Sequence, residues 1–213
     1  MTTATPIIFV IDDDQSVRKS LARLLDAANY KTELFNSGSE FLAHSVHSGP
    51  SCIIIDVRMP GLTGIDLQKA LIESGREEQL VFITAHGDIP MCAQAMKAGA
   101  VDFLPKPFKP KQLLESVERA LSRSAEQLHR ASERDHARAL LRQLTPREYE
   151  VMELVATGLL NKQVGGELGM AEKTVKTHRA HMMQKLGITS VAELMVTLQK
   201  AEVTPPVKTG TKV

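Results

Sequence analysis

The sequence predicts two folds in series. The first is a doubly wound, five-stranded parallel α/β sheet; the second is an all-α module of four helices, joined to it by a long helix. Three observations carry this. Five short apolar runs alternate with helix-spaced segments over residues 7–121, the pattern of strands covered on both faces by crossover helices. Residues 110–143 lack strand signals and glycine, and their only proline is Pro110. From Leu144 onward, helical stretches are separated by glycines at 158, 169 and 187.

In order, Ile7–Ile11 is a first buried strand, ending in Asp12-Asp13-Asp14. A helix follows over Ser16–Leu25, with Val17, Leu21, Leu24 and Leu25 at helical spacing. Asp13 or Asp14 is placed to cap it. Lys31–Phe35 reads as an edge strand and Ser39–Ala43 as a short helix. Cys52–Ile55 is an unbroken apolar run with three β-branched members, stopped by Asp56 and then Met59-Pro60-Gly61. A helix over Ile65–Ile72, a strand over Leu80–Thr84, a helix over about Pro90–Ala98 and a last strand over Val101–Leu104 complete the sheet. Pro105-Lys106-Pro107 closes it.

The helix from Pro110 is predicted to reach Leu141 and to be exposed beyond about Leu121. Its arginines at 130, 134, 138 and 142 form a stripe, expected to be a solvated face. Thr145, Pro146 and Glu148 spell an N-cap, a first-turn proline and a capping box. Further helices are expected to Ala156, over Asn161–Leu168 with Asn161 as cap, over Glu172–Leu186 and over about Val191–Ala201. Short glycine turns between these helices, and Lys173, Lys176, Arg179 and Lys185 on the third, describe a helix-turn-helix module. Ala171 in the cap position and Gly165-Gly166 inside the second helix predict modest stability. The Pro- and Lys-containing tail is expected to be disordered. The domains are thus residues 1–121, a helical linker 122–143, the module 144–202 and a tail 203–213.

Hydrophobic residues make up 43% and charged residues 24% of the chain, ordinary for a globular protein. No apolar stretch is long enough to span a bilayer and the N-terminus lacks a signal pattern. A cytoplasmic protein with no membrane partner is expected. Cys52 and Cys92 are expected to be small buried thiols in a reducing compartment rather than a disulfide; two cysteines make no metal signature. Residues 1–122 hold 12 Lys/Arg against 15 Asp/Glu, a charge of −3, and residues 123–213 hold 14 against 10, a charge of +4. Two modules with different partners follow.

Ligands bind outside the carboxyl ends of strands in such sheets. Asp12, Asp13, Asp56 and Thr84 all fall at strand ends, and Lys106 just beyond a fourth. Three clustered carboxylates repel one another, and a divalent cation relieves this. All-oxygen ligation suits Mg2+. A carboxylate beside Mg2+ attacks phosphorus to form an acyl phosphate, with Lys106 as a point charge and Thr84 offering a hydroxyl.

These stretches resemble a known family in order and spacing. Val-Ile-Asp-Asp-Asp, Ile-Ile-Asp-Val-Arg-Met-Pro-Gly-Leu-Thr-Gly, Phe-Ile-Thr-Ala-His-Gly-Asp-Ile-Pro-Met and Pro-Lys-Pro-Phe are similar to the flavodoxin-like receiver domain of two-component response regulators, in the FixJ/NarL branch. The resemblance implies that Asp56 accepts phosphate from a sensor histidine kinase. It makes Asp13 a direct ligand of Mg2+ (or Mn2+), Asp12 a ligand through water and the Arg58 carbonyl a third protein ligand. Thr84 and Phe103 become the switch, with Lys106 beside the acceptor.

Leu-Thr-Pro-Arg-Glu, Gly-Leu-Leu-Asn-Lys-Gln-Val, Thr-Val-Lys-Thr-His-Arg and Lys-Leu-Gly-Ile-Thr-Ser resemble the LuxR-type output domain. By that resemblance Lys176 and Thr177 reach base edges. Lys173, Thr174, His178 and Arg179 flank them or lie on phosphates, and the Asn161/Lys162 helix start offers amides to a phosphate. Ala180 stands where some relatives place a base-contacting Lys. The implied function is a phosphorylation-switched transcription regulator that dimerises on promoter DNA, with RNA polymerase as partner and activation as the commoner mode. It would not be a dedicated enzyme, beyond slow autodephosphorylation. Two rivals share these residue types. One is a Mg2+-dependent phosphohydrolase, against which Arg58 occupies the general-acid position two residues after Asp56. The other is a phosphate sink whose helical part binds protein.

Overall fold

The computed structural model describes residues 4–85 and 89–204, so His86, Gly87, Asp88 and most of the tail lie outside it. The chain divides into two compact units, Met1–Leu128 and His129–Val213.

The first unit is a five-stranded sheet in the order β2-β1-β3-β4-β5, parallel throughout. Its strands are β1 (Ile7–Ile11), β2 (Lys31–Phe35), β3 (Ser51–Asp56), β4 (Gln79–Thr84) and β5 (Asp102–Pro105). Between them run α1 (Gln15–Ala27), α2 (Gly38–Leu42), α3 (Gly64–Glu73) and α4 (Ile89–Lys97), and α5 (Pro110–Leu141) follows. The uninterrupted apolar runs are explained by burial on two sides. Alternate residues of β1, β3 and β4 face opposite ways. Phe9, Ile53, Ile55 and Phe82 pack with Phe41, Leu67, Leu71 and Ala95 of α2, α3 and α4. Ile8, Val10, Ile54, Val81 and Ile83 pack with Leu21 and Leu25 of α1 and Leu113, Val117 and Leu121 of α5. Each such fully buried side chain contributes about 1.5–3 kcal/mol. Both cysteines are free; Cys52 is buried and Cys92 only half-buried.

The expected exposure of α5 beyond Leu121 holds for most of its residues but not for Ser124, Ala137 and Leu141. Ser124 is buried and its hydroxyl accepts the Ser51 N–H at 3.0 Å. One turn later Gln127 accepts from the Gln79 side chain at 2.8 Å. The opening ends of β3 and β4 carry polar groups that need partners once buried, and α5 supplies them.

The second unit holds the end of α5 with α6 (Pro146–Ala156), α7 (Asn161–Leu168), α8 (Glu172–Leu186) and α9 (Val191–Ala201). Ala137, Val151, Met152, Val164, Val175, Met182, Leu186, Leu194 and Leu198 form its core. Thr145 and Glu148 make the expected reciprocal capping box. Asn161 is not a cap but the first residue of α7; Leu160 precedes it, its N–H satisfied by the Gln163 side chain at 2.9 Å. The arginine stripe is also more than a solvated face. Arg138 donates to the Ala201 carbonyl at 2.9 Å and pairs with Glu202 at 3.0 Å, and Arg134 stands 3.7 Å from Glu202. Cations there complement the carboxyl end of α9. Of the residues assigned to the tail, Val203 packs against the core; the disorder expected from residue 205 onward falls outside the described residues.

The two adjacent glycines of α7 are unlike each other. A Cβ on Gly165 would stand 2.6 Å from the Met170 carbonyl, whereas one on Gly166 would meet nothing within 4 Å. Gly165 is therefore required by the close passage of the turn into α8. Gly166→Ala is expected to raise the unfolding free energy of the second unit by about 0.5–1 kcal/mol and Gly165→Ala to lower it by about 1–3 kcal/mol. Thermal unfolding of the two variants checks the opposite signs.

Glu148 is 4% exposed and its carboxylate accepts from Lys185 at 2.6 Å. Burial pushes its pKa up, but the Lys185 ammonium and the Thr145 N–H and hydroxyl outweigh this and bring it down to about 2. A depressed carboxylate adds stability that is complete above its ordinary pKa and is lost as pH falls from there to the folded value. Glu148→Gln is therefore expected to cost about 1–3 kcal/mol at neutral pH. The deficit should shrink as pH drops from 4.5 towards 2, as followed by denaturant unfolding across that range.

Candidate functional site

Because the strands are parallel and in register, β1, β3 and β4 end side by side. Ile11 pairs with Ile55, Asp56 with Ile83 and Thr84 with Pro105. Asp12, Asp56, Thr84 and Lys106 are thereby delivered to one edge of the sheet. Asp12, Asp56 and Thr84 are buried, at 2%, 7% and 1% exposure.

Lys106 organises this edge. Its ammonium lies 2.8 Å from Asp56 Oδ1 and 3.0 Å from Asp12 Oδ2. Its backbone N–H donates to the Thr84 carbonyl at 2.7 Å, and its peptide bond to Pro107 is cis. The second oxygen of Asp56 accepts the Arg58 N–H at 2.7 Å. That of Asp12 accepts the Asp14 N–H at 2.9 Å. Asp14 itself caps α1, accepting the Ser16 N–H at 2.7 Å. Arg18 of α1 donates to the Asp12 carbonyl, a contact that sequence reasoning did not anticipate.

The electrostatics follow from burial and charge. Burial pushes the Asp12 carboxyl above its ordinary value, although Lys106 and the Asp14 N–H pull the other way. Burial alone would lower the Lys106 pKa, but its hydrogen bonds to Asp56 and Asp12 outweigh this and raise it. Lys106 is thus firmly cationic.

The expected cluster of three carboxylates is found as two carboxylates held by one ammonium, with Asp13 exposed beside them. Among the described residues no three His, Cys, Asp or Glu side chains converge to hold a metal ion. The donor chemistry of Asp12, Asp13, Asp56 and the Arg58 carbonyl is nonetheless all oxygen, the type a hard divalent cation takes. Lys106 is one cation beside two buried carboxyl groups. Phe103 is half-buried on β5, its ring 6.0 Å from that of Phe82, and its N–H donates to Asp102 at 2.8 Å. The loop after Ala85, residues 86–88, lies outside the described residues.

The second candidate site is α8. Val175, Met182 and Leu186 are buried on one side. Lys173, Thr174, Lys176 and Thr177 are exposed, and His178 and Arg179 half-buried. The Thr177 hydroxyl donates to the Lys173 carbonyl at 3.1 Å. Arg179 donates to the Asn161 side chain at 3.0 Å, so these two residues tie α8 to the start of α7, where Lys162 is exposed. Lys185, counted with the basic residues of this helix, is taken up by Glu148. Sequence spacing showed neither tie, because both join residues far apart in the chain.

Comparison with known proteins identifies the family of each domain. The family described as response regulator receiver domain matches residues 8–118, and the luxR family of bacterial regulatory proteins matches residues 142–198. Nodulation protein W of Bradyrhizobium diazoefficiens is 44% identical over 89% of this chain and 83% of its own length. The transcriptional regulatory protein FixJ of Azorhizobium caulinodans is 38% identical over 93% of this chain and 94% of its own. The solved structure of the response regulator StyR superposes with a TM-score of 0.83 at 47% identity, covering 92% of this chain and all of that one (100%). The chain belongs to the two-component response regulators, with a receiver domain of doubly wound fold followed by a LuxR-type DNA-binding domain.

Proposed function

We propose that this transcription regulator is switched by Mg2+-dependent phosphorylation of Asp56 by a sensor histidine kinase. One observation carries the reading: Lys106 bridges the buried Asp56 and Asp12 at the carboxyl edge of the sheet. A carboxylate oxygen of Asp56 attacks the phosphorus of a kinase phosphohistidine. The new O–P bond forms as the P–N bond breaks and the imidazole leaves with the electron pair. Lys106 then follows the added negative charge. Asp12, Asp13, Asp56 and the Arg58 carbonyl are the residues that would hold Mg2+ or Mn2+, which would supply charge neutralisation for the phosphoryl oxygens. Water slowly reverses the modification by hydrolysing the acyl phosphate.

The Thr84 hydroxyl donates to the phosphoryl group and Phe103 turns inward behind it. This change favours a homodimer. The domains are assigned as residues 1–121 for phosphorylation, 122–143 as helical linker and 144–202 for DNA. A dimer presents two α8 helices to two half-sites of promoter DNA. Lys176 and Thr177 reach base edges, while Lys173, Thr174, His178 and the Lys162 helix start contact phosphates or flank the base contacts. Arg179 and Asn161, which hold each other, fix the angle between α7 and α8 and leave the amides of the α7 start for phosphate. RNA polymerase is the downstream partner and activation the mode of control, in the cytoplasm. The exposed Lys173, Lys176 and Thr177 support this reading.

Wild type and Asp56→Asn, each treated with Mg2+ and acetyl phosphate, are the test. Only the treated wild type is expected to dimerise and to enrich a two-half-site motif from random-sequence DNA. Equal enrichment by both proteins would remove Asp56 from control. Against the selected site, Lys176→Ala is expected to lose about 1–3 kcal/mol and to relax preference at one position. Lys173→Ala should weaken all sequences alike and reduce the salt slope by about one. Titrations at several salt concentrations separate the two effects.

A further inference from the structure

Among the helices of the first unit, α4 is the least embedded. Ala95 is its single fully buried residue, and Ile89 and Met96 are 86% and 41% exposed. α3 buries four residues, and one of these is polar: Gln68, at 2% exposure. The Gln68 amide donates to the Ala95 carbonyl at 3.1 Å. That carbonyl already receives the Ala100 N–H at 3.1 Å, in the last turn of α4. A buried amide on α3 thus grips α4 at its one fully buried residue.

The other end of α3 rests on the phosphoacceptor strand. The Gly64 N–H donates to the Val57 carbonyl at 3.0 Å. A Cβ on Gly64 would lie 2.6 Å from the Asp56 carbonyl oxygen, so the helix start and the Asp56 backbone are in direct contact. Gln68 follows Gly64 by one helical turn. A short, stiff path therefore runs from the Asp56 backbone through Gly64 and Gln68 to Ala95.

We propose that Gln68 is a positioning residue that pins α4 to α3, and through Gly64 to the backbone of Asp56. The strength of this pin sets how readily α4 shifts when Asp56 is modified. The second half rests on the phosphorylation switch proposed above; the first half does not. Thr84 and Phe103 would act on the same region by another route, along β4 and β5.

The test uses the full chain and the variant Gln68→Met, which keeps the length and apolar contacts of the side chain and removes the donor. Gln68→Leu serves if the first fails to fold. Leu71→Val thins the packing of α3 without touching the pin. In unmodified protein, hydrogen exchange of the Ala98, Gly99 and Ala100 amides is expected to quicken about tenfold in Gln68→Met, the scale of one lost hydrogen bond. Amides of β3 and β4 should scarcely change. Unchanged exchange in α4, or an equal rise in strands and helix like that of Leu71→Val, would overturn the pin. With Mg2+ and acetyl phosphate, Gln68→Met is expected to reach half-maximal dimerisation at a lower phosphodonor concentration than wild type. An identical midpoint would overturn its regulatory part. If wild type itself fails to respond, the phosphorylation reading falls, and the exchange rates still decide whether Gln68 holds α4.

Discussion

The Lys106 ammonium, 2.8 Å from Asp56 and 3.0 Å from Asp12, is the contact around which the receiver's sheet edge is arranged. Two carboxylates buried side by side repel, and each also loses hydration. One cation between them makes the arrangement tenable. It also leaves one ammonium beside two carboxyl groups, a set of oxygen donors of the kind a hard divalent cation takes. The rest of the unit serves to keep these groups in place. Parallel pairing aligns the strand ends, and the Lys106 N–H is tied to Thr84. Asp14 and Arg18 fasten the β1 end to α1.

The same economy appears on the opposite edge of the sheet, where the strands begin. There the N–H of Ser51 would be buried without a partner, and the side chain of Gln79 would keep only the Glu77 carbonyl, if α5 ended near Leu121. Ser124 and Gln127 meet them. α5 is thus part of the receiver for longer than its apolar pattern suggests, since polar contacts continue where hydrophobic periodicity stops.

In the second unit the helix that presents a basic face to solvent is held from behind by polar as well as apolar contacts. Val175, Met182 and Leu186 bury its inner side. Lys185 is fixed by Glu148, and Arg179 by Asn161. Four basic residues of one helix therefore divide into two roles. Lys173 and Lys176 are exposed, whereas Lys185 and Arg179 orient the helix within the module. α9 is steadied in a similar way, its carboxyl end meeting Arg138 and its Lys200 pairing with Glu133 at 2.6 Å.

The sequence by itself determined the strands, the helices and their order. Continuous β-branched runs admit only two-sided burial, and a capping residue such as Thr145 acts on the turn that follows it. It also determined that Asp12, Asp56, Thr84 and Lys106 share one edge, because parallel strands place their ends together. What it could not determine were contacts between residues distant in the chain. The tertiary structure decided that Lys106 joins two carboxylates while Asp13 faces solvent, and that Arg138 closes the end of α9. It decided too that Gly165 is demanded by the Met170 carbonyl while its neighbour Gly166 is not. Each of these depends on which atoms are brought within about 3 Å by packing, and local spacing along the chain carries no record of that.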